Sequence, residues 1–396
     1  MIVRVALPVP LNRLFDYAVA ADSATPAVGA RVLVNFGRRS MIGLVCELSD
    51  HSDVPKNKLK PFEALLESEP LVTAEQLALG QWAAKYYKYP LGDALMHLLP
   101  TLARKEPAPY PKPPTYWALT EGANRDQISK RAVRQRALFS FMHQDNGAVS
   151  TAQIRSAGFD PKLIQPLEAL GIVYQTDQPT TLSTKAASTT LANQSLTLNA
   201  EQQSAVDSIH AAKGFTAFLI EGVTGSGKTE VYLQSIEAVV AKGHQVLVLV
   251  PEIGLTPQLV ERFNHRFNAP IVALHSGLSD RVRFDAWQSI KHGDTQIVIG
   301  TRSSIYVPFQ SLGMILIDEE HDASFKQQEG FRYHARDVAL VRAKRLNIPV
   351  VMGSATPALE SILNAKEARY TPLALTQRAG DATPPSFELH DIRGVE

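Results

Sequence analysis

The chain has 396 residues, of which 45% are hydrophobic and 20% are charged, a composition typical of globular proteins. This length favours two to four domains. The 40 lysines and arginines nearly balance the 39 aspartates and glutamates, which excludes a uniformly basic nucleic-acid-binding surface and leaves local patches. No stretch has the roughly 18 apolar residues of a membrane span. The single cysteine, Cys46, excludes an internal disulfide framework and favours the reducing cytoplasm.

The first 105 residues are predicted to form a β-rich domain. Residues 2–48 alternate between apolar and polar positions in short runs that are separated by glycines, which is typical of a small β-barrel or sandwich. Residues 74–89 have helical periodicity, and they end at Pro90. The predicted apolar face of this helix consists of Leu77, Trp82, Ala83 and Tyr86.

A proline-rich segment at 107–114 marks a domain boundary, because proline continues neither helix nor central strand. Three short helical patterns follow at 134–144, 151–157 and 161–170, and residues 172–175 resemble a strand. Three helices and a strand predict a winged-helix domain over residues 106–180. A Ser-, Thr- and Ala-rich stretch without apolar periodicity comes next, and we place the linker at 181–197.

The remainder, residues 198–396, is predicted to be a doubly wound α/β domain. It contains continuous apolar runs, as expected of parallel strands that are covered on both faces. These runs are 217–220, 246–250, 296–299, 314–317 and 349–352. Helical patterns separate the runs, which excludes an all-β domain here.

Residues 222–229, GVTGSGKT, match the phosphate-binding loop pattern G-x-x-x-x-G-K-[ST] and lie between a predicted strand and a predicted helix. Glycines allow backbone N–H groups to surround phosphates, a lysine neutralises the β and γ oxygens, and a hydroxyl binds Mg²⁺. The predicted ATP-binding residues are Gly222, Thr224, Gly225, Ser226, Gly227, Lys228 and Thr229. Lys228 is predicted to be catalytic and Thr229 to be a Mg²⁺ ligand.

The tetrapeptide DEEH at 318–321 follows an apolar run, so Asp318 should emerge at the carboxyl end of a strand. We expect Asp318 to hold Mg²⁺ and Glu319 to orient or deprotonate the attacking water. An isolated acidic tetrapeptide is usually a solvated turn, but the preceding phosphate-binding loop favours the catalytic interpretation.

Two weaker signals accompany these motifs. Ser354-Ala355-Thr356 follows another apolar run and is either a coupling loop or a plain helix N-cap. Gln202 precedes the phosphate-binding loop, and its amide offers a donor and an acceptor to adenine. The alternative for Gln202 is an ordinary exposed glutamine.

Three further segments are VPEIGLTPQ at 250–258, GTRS at 300–303 and SFKQQEGFRYHAR at 324–336. With the two ATP motifs they resemble superfamily 2 helicases, and specifically the PriA family (primosomal protein N′) of bacterial replication-restart helicases. The resemblance implies that 324–336 is an aromatic-rich loop that couples single-stranded DNA to a RecA-like ATP-binding lobe. The implied DNA contacts are Arg302, Phe325, Lys326, Phe331, Arg332, Tyr333, His334 and Arg336. Interleaved aromatic and cationic side chains suit base stacking and phosphate contact, whereas the alternative is a buried aromatic cluster.

The N-terminal region resembles the domain of that family that captures the 3′ end of a nascent strand. The resemblance implies that Phe15, Asp16, Gly37 and Lys60 form the pocket. A terminal base can stack on Phe15, while Asp16 accepts a hydrogen bond from the free 3′ hydroxyl and Lys60 faces phosphate. Without the resemblance, Phe15 would be a core residue and Asp16 a turn residue.

The resemblance implies an ATP-dependent 3′-to-5′ DNA helicase that recognises stalled forks, initiates primosome assembly and works with single-strand DNA-binding protein and other primosome proteins. The second RecA-like lobe and the zinc-binding cysteines of the family are not in this sequence. We therefore expect a fragment that is the N-terminal portion, with little ATPase activity and no zinc site. The alternative is a non-catalytic module that binds forks and 3′ ends, with incidental nucleotide binding.

Overall fold

A computed structural model describes residues 1–20, 23–67, 69–105, 116–120, 122–144, 148–151, 154, 157–176 and 196–379. The chain forms two compact units, one comprising residues 1–107 with 189–396 and the other residues 108–188. The proline-rich segment and most of the linker and of the helix predicted at 151–157 lie outside the described residues. No helix among the described residues is long and apolar enough to cross a membrane.

The N-terminal region is a five-stranded antiparallel sheet with strand order β2-β1-β4-β3-β5. The strands are β1 (Ile2–Ala6), β2 (Phe15–Ala18), β3 (Arg31–Phe36), β4 (Arg39–Ser49) and β5 (Ala64–Leu65). Alternation along β1 buries Val3 and Val5 on one face. The predicted β-rich character is confirmed, while closure into a barrel stays a prediction.

Two helices follow this sheet, α1 (Ala74–Tyr86) and α2 (Leu91–Met96). A capping box between Thr73 and Gln76 begins α1. The helix ends earlier than predicted, and Lys88 has a left-handed φ of 54°. Tyr86 was wrongly assigned to the apolar face, since it is 60% exposed. The buried side of α1 joins one hydrophobic cluster with residues of the α/β region.

In the unit at 108–188, the described residues form a three-stranded antiparallel sheet of order β7-β6-β8 and two α-helices. Its elements are β6 (Tyr116–Leu119), α3 (Val133–Gln144), β7 (Val149–Ser150), α4 (Ile164–Ala169) and β8 (Val173–Thr176). Leu138, Ile164 and Val173 belong to its core. The helices at 134–144 and 161–170 and the strand at 172–175 are therefore confirmed in outline, whereas the prediction missed β6 and β7.

The α/β region has a seven-stranded parallel sheet of order β11-β12-β10-β13-β14-β9-β15. Its strands are β9 (Ala217–Gly222), β10 (Gln245–Leu249), β11 (Ile271–Leu274), β12 (Ile297–Gly300), β13 (Leu312–Asp318), β14 (Val350–Ser354) and β15 (Thr371–Leu375). Its helices are α5 (Ala200–His210), α6 (Lys228–Val240), α7 (Pro257–Arg266), α8 (Asp280–His292), α9 (Ala335–Leu346) and α10 (Leu359–Lys366). Short 3₁₀ helices lie at Lys56–Lys58, Thr101–Arg104, Arg125–Gln127, Pro161–Leu163, Arg302–Tyr306 and Ala323–Phe325.

The predicted doubly wound α/β architecture is confirmed, and all of its predicted strands are present. The sequence missed the two edge strands, β11 and β15, because edge strands lack a continuous buried run. Pro372 lies within β15, and proline is tolerated only at sheet edges. The strands β13, β14 and β9 are neighbours in the sheet, so their carboxyl ends lie side by side. The candidate site lies at these carboxyl ends.

Candidate nucleotide-binding site and DNA contacts

The phosphate-binding loop connects β9 to α6, as the sequence predicted. Gly225 and Gly227 have positive φ values of 81° and 79°, which turn successive backbone N–H groups toward one side. Lys228 is the first residue of α6, and its Nζ donates to the Gly222 carbonyl at 2.8 Å. Ser226 is buried, and its hydroxyl has no partner among the described residues. The loop is therefore a concave set of donors at a helix N-terminus, which suits phosphate.

Gln202 lies against this loop and is not an exposed residue, since it is only 4% exposed. Its Nε2 donates to the Ser226 carbonyl at 2.8 Å, while its Oε1 accepts from the Asn199 N–H at 2.9 Å. A side chain at Gly227 would collide with this amide. Gln202 thus stabilises the loop through a hydrogen bond to its backbone. Contact of Gln202 with adenine stays a prediction.

The predicted metal-binding carboxylate, Asp318, is the last residue of β13. Its Oδ1 accepts from the Tyr232 hydroxyl at 3.0 Å and from the Glu319 N–H at 3.1 Å. Burial raises the pKa of the Asp318 carboxyl, and the neighbouring Glu319 charge raises it further. A cation beside Asp318 would offset this cost. Glu319 has a left-handed φ of 48°, which is uncommon for a residue with a side chain.

Tyr232 is a site residue that was not predicted from the sequence. It lies one turn into the helix that follows the phosphate-binding loop. It is fully buried, and its hydroxyl links α6 to the carboxylate at the end of β13. Gly353 in β14 leaves the space for this hydroxyl, because a Cβ there would overlap it. Spacing in the sequence gives no signal for Tyr232, because the partners are 86 residues apart.

The loop and the carboxylates open into one cavity of about 570 Å³, which is in the usual size range of ligand pockets. Lys228, Thr229, Asp318, Glu319 and Arg262 are among its lining residues. The sequence missed Arg262, which lies on α7 and adds a second cation to the lining. A cradle of glycines, an unpartnered buried hydroxyl, two cations and a carboxylate pair together fit a nucleoside triphosphate with Mg²⁺.

The third loop at this edge is joined to the acidic turn. His321 Nδ1 is 2.7 Å from the Ser354 hydroxyl, and its Nε2 is 3.4 Å from that of Thr356. The Ser354 hydroxyl also accepts from the Thr356 N–H at 2.9 Å. Residues 354–356 do not cap α10, whose N-cap is Ala358, and a coupling role for them stays a prediction.

The aromatic-rich segment at 324–336 is packed inward. Phe325 and Phe331 are 0% exposed and Tyr333 is 3% exposed, so the buried-cluster alternative describes these rings here. Phe331 stacks on Tyr89 of the N-terminal region with ring centroids 5.0 Å apart. Base stacking on these rings would first require them to leave the core, and their role in DNA binding stays a prediction.

The cations of this segment have different surroundings. Arg332 is exposed, whereas Lys326 donates to the Arg332 carbonyl at 2.9 Å. His334 and Arg336 are half-buried, and Arg336 pairs with Glu320 at 2.7 Å. Arg302 is also engaged, through the Gln327 side chain at 2.6 Å and the Ser324 carbonyl at 2.9 Å. Among these predicted DNA-contacting cations, Arg332 alone is exposed in the described segment.

The predicted 3′-end residues gather around the edge strand β2. The Phe15 ring contacts Phe36 edge-on at 5.0 Å, and Gly37 follows Phe36 in the turn between β3 and β4 with φ of 65°. Asp16 accepts from the Ser52 hydroxyl at 2.5 Å and lies 3.7 Å from Arg4.

Lys60 is exposed, and its carbonyl accepts from the Ala18 N–H at 2.9 Å, which attaches its segment to the same strand. Adjacent strand residues alternate between faces, so Phe15 and Asp16 are directed to opposite faces of β2. A ligand that contacts both must therefore bind across the sheet edge.

Comparison with known proteins finds a different family model for each of two regions of the chain. Residues 4–100 match the model of the PriA 3′ DNA-binding domain, and residues 199–365 match the DEAD/DEAH box helicase model. The replication restart protein PriA of Haemophilus influenzae is 43% identical over 99% of this chain and 54% of its own length. That of Bacillus subtilis is 32% identical over 97% of this chain and 56% of its own length.

The chain thus spans about half the length of these curated relatives. The first matched region contains Phe15, Asp16, Gly37 and Lys60 around β2, which we call the β2 cluster. The second contains the phosphate-binding loop after β9 and the acidic motif at the end of β13. Over nearly its whole length the chain is similar to replication restart proteins named PriA, and it contains regions that match the PriA 3′ DNA-binding domain and the DEAD/DEAH box helicase domain.

Proposed function

We propose that this protein is an ATP-dependent 3′-to-5′ DNA helicase of replication restart, which recognises stalled forks and initiates primosome assembly in the cytoplasm. The observation that carries the proposal is the single cavity that contains both Lys228 and the Asp318-Glu319 pair. A structural nucleotide site would need the phosphate-binding loop only. The added pair supplies what hydrolysis requires.

The residues that the proposal uses have defined tasks. Backbone N–H groups from Gly225 to Lys228 hold the phosphates, and the Lys228 ammonium neutralises the γ-phosphate. Thr229 and Asp318 would hold Mg²⁺, which supplies charge neutralisation at the phosphate oxygens. Glu319 orients the attacking water and accepts its proton. Tyr232 fixes the rotamer of Asp318 through its hydrogen bond.

For DNA recognition, we propose a 3′-end domain at 1–105, a winged-helix domain at 106–180 and a RecA-like lobe from 198 onward. The family name supports replication-fork DNA as the ligand, and the β2 cluster supports a free 3′ end. Single-strand DNA-binding protein and primosome proteins are proposed partners on the basis of the family alone. Residues of the 324–336 segment would contact DNA after a rearrangement that exposes their rings.

Single-turnover hydrolysis of labelled ATP, with and without forked DNA, tests the catalytic part. Glu319→Gln preserves the size of the side chain but removes its basicity, so we expect normal ATP binding and hydrolysis slower by about 10²-fold or more. The matched control is Glu367→Gln, an exposed carboxylate elsewhere in the α/β region. Equal hydrolysis by Glu319→Gln and the unmodified chain would contradict the assignment. DNA binding without any hydrolysis would favour the alternative of a non-catalytic fork-binding module.

Asp16→Ala tests recognition of the 3′ end. We expect affinity for a fork with a free 3′ hydroxyl to fall by roughly 10- to 100-fold, since a hydrogen bond to a charged group contributes about 1.5–3 kcal/mol. Affinity for the same fork with a 3′ phosphate should change little. The ratio of the two affinities, measured by fluorescence anisotropy, is insensitive to a general loss of folded protein. Asp53→Ala, at an exposed carboxylate in the same domain, is the control. Equal weakening on both forks would rule out the role of Asp16.

A further inference from the structure

Polar contacts run without a break from the end of α1 to the acidic turn after β13. Tyr87 follows α1, and its hydroxyl accepts from the His334 N–H at 3.2 Å and is 3.3 Å from Asp337 Oδ2, to which it donates. Arg336 lies between these two residues, and its guanidinium donates to Glu320 Oε2 at 2.7 Å. Glu320 directly follows the proposed catalytic Glu319. The N-terminal region and the ATP motif are thus connected within one compact unit.

Glu320 is the central residue of this connection. Its side chain is 0% exposed, and it accepts from Arg336, from the Ser361 hydroxyl at 2.9 Å and from the Ala358 N–H at 2.7 Å. A buried carboxylate requires such donors, because desolvation strongly disfavours an unpaired charge. Glu320 therefore fixes the acidic turn relative to the first turn of α9 and the first turn of α10.

The backbone of the acidic turn depends on this anchor. Glu319 holds a left-handed conformation that is costly for a residue with a Cβ, and such conformations persist only when the surroundings impose them. On one side, its N–H donates to Asp318 Oδ1. On the other side, the Glu320 N–H donates to the Gly353 carbonyl at 3.1 Å. The Glu320 carboxylate accepts hydrogen bonds from Arg336, Ser361 and Ala358. A shift of Arg336 would therefore reach Glu319 through one peptide unit.

Residues that follow α1 contact the chain segment around Arg336. Besides the hydrogen bonds of Tyr87, the Lys326 ammonium lies 5.1 Å from the centre of the Tyr87 ring. Tyr89 stacks on the fully buried Phe331. The segment that precedes α9 is thus packed against side chains of the N-terminal region. A displacement of the N-terminal region should therefore also displace this segment.

We propose that Tyr87, Arg336 and Glu320 couple binding of DNA by the N-terminal domain to the nucleotide site, with Glu320 as the residue that positions Glu319. The inference rests on the proposed function, because it needs both ligands to bind. Coupling between two sites is reciprocal, so DNA must change nucleotide affinity by the same factor by which nucleotide changes DNA affinity. Neither Tyr87 nor Glu320 needs to touch a ligand.

The test is titration of the full chain with a fluorescent ATP analogue and Mg²⁺, alone and with saturating forked oligonucleotide that has a free 3′ hydroxyl. We expect the oligonucleotide to change the nucleotide Kd by about 5-fold or more in the unmodified chain, the lower end of measured coupling. Tyr87→Phe keeps the ring but removes both hydrogen bonds, and Glu320→Gln removes the charge. In each variant the coupling factor should fall to near one, and Tyr87→Phe should bind either ligand alone normally.

Two controls and a double variant make the result specific. Tyr86→Phe changes an exposed neighbour of Tyr87, and Glu367→Gln breaks an exposed pair with Arg369, so both should keep full coupling. Tyr87→Phe combined with Glu320→Gln should lose no more coupling than either single variant, because both lie on one connection. Tyr87→Phe retains the packed ring, so it remains informative even if Glu320→Gln does not fold.

Full coupling in both single variants would overturn the proposal. Independent binding of DNA and nucleotide to the unmodified chain would also overturn it, while leaving the proposed function intact. Failure of the unmodified chain to bind either ligand would instead contradict the proposed function itself, and the coupling with it.

Discussion

Lys228→Ala should weaken binding of ATP in the presence of Mg²⁺ by roughly 10- to 100-fold, since a hydrogen bond to a charged group contributes about 1.5–3 kcal/mol. The ammonium group lies at the N-terminus of α6, above the glycines that shape the loop. Its only polar contact among the described atoms is with the Gly222 carbonyl at 2.8 Å. Isothermal titration calorimetry with a non-hydrolysable ATP analogue measures the effect directly.

Lys242→Ala is the matched control, because Lys242 is an exposed lysine just beyond the other end of α6. It should leave the affinity unchanged. Neither substitution should alter the unfolding midpoint appreciably, since Lys242 is exposed and Lys228 is only half-buried. If Lys228→Ala kept its affinity within about twofold, a change below that expected for any charged hydrogen bond, residues 222–229 would not be the phosphate site.

Arg342→Ala should lower the free energy of unfolding by about 3 kcal/mol, because it leaves the partly buried Glu75 carboxylate without its buried guanidinium partner. Arg342 on α9 is 1% exposed and donates to both carboxylate oxygens of Glu75 on α1, at 3.1 and 2.8 Å. It also donates to the Ile305 carbonyl at 2.6 Å. Alanine would leave these acceptors unpaired and open a cavity between the N-terminal helices and the α/β region.

Urea denaturation followed by circular dichroism measures this loss. Arg345→Ala, at an exposed arginine of the same helix, should change stability by less than about 0.5 kcal/mol. Arg342→Met separates packing from charge, since methionine fills much of the volume but leaves Glu75 without its partner. Unchanged stability of Arg342→Ala would mean that Glu75 and the Ile305 carbonyl find solvent without cost.

The sequence was sufficient wherever a short segment determines its own structure. The phosphate-binding loop is contiguous, and its glycines set the backbone that Lys228 needs. The buried parallel strands can be recognised in the sequence as apolar runs, because both of their faces are covered. Asp318 was correctly placed at the end of β13 for the same reason. Motifs of this kind need no knowledge of tertiary contacts.

The sequence failed where a residue is defined by a distant partner. Tyr232 looks like any core aromatic until Asp318 is placed beside its hydroxyl. Glu320 looks like a member of an acidic motif until Arg336 and the start of α10 converge on it. Phe331 and Tyr333 have the composition of a base-stacking loop, but both rings are buried, and Tyr89 of the N-terminal region stacks on Phe331. Burial of this kind is a property of the assembled unit.

The contact between Glu75 and Arg342 also has a consequence for synthesis of the chain. The two residues are 267 positions apart. At the roughly 5–20 residues per second of bacterial translation, Arg342 leaves the ribosome roughly 15 to 50 s after Glu75. The apolar side of α1, including Leu77 and Leu79, has only part of its final cover during this interval. Until the α/β region has been made and folded, the N-terminal domain therefore presents an incompletely covered apolar face on the ribosome.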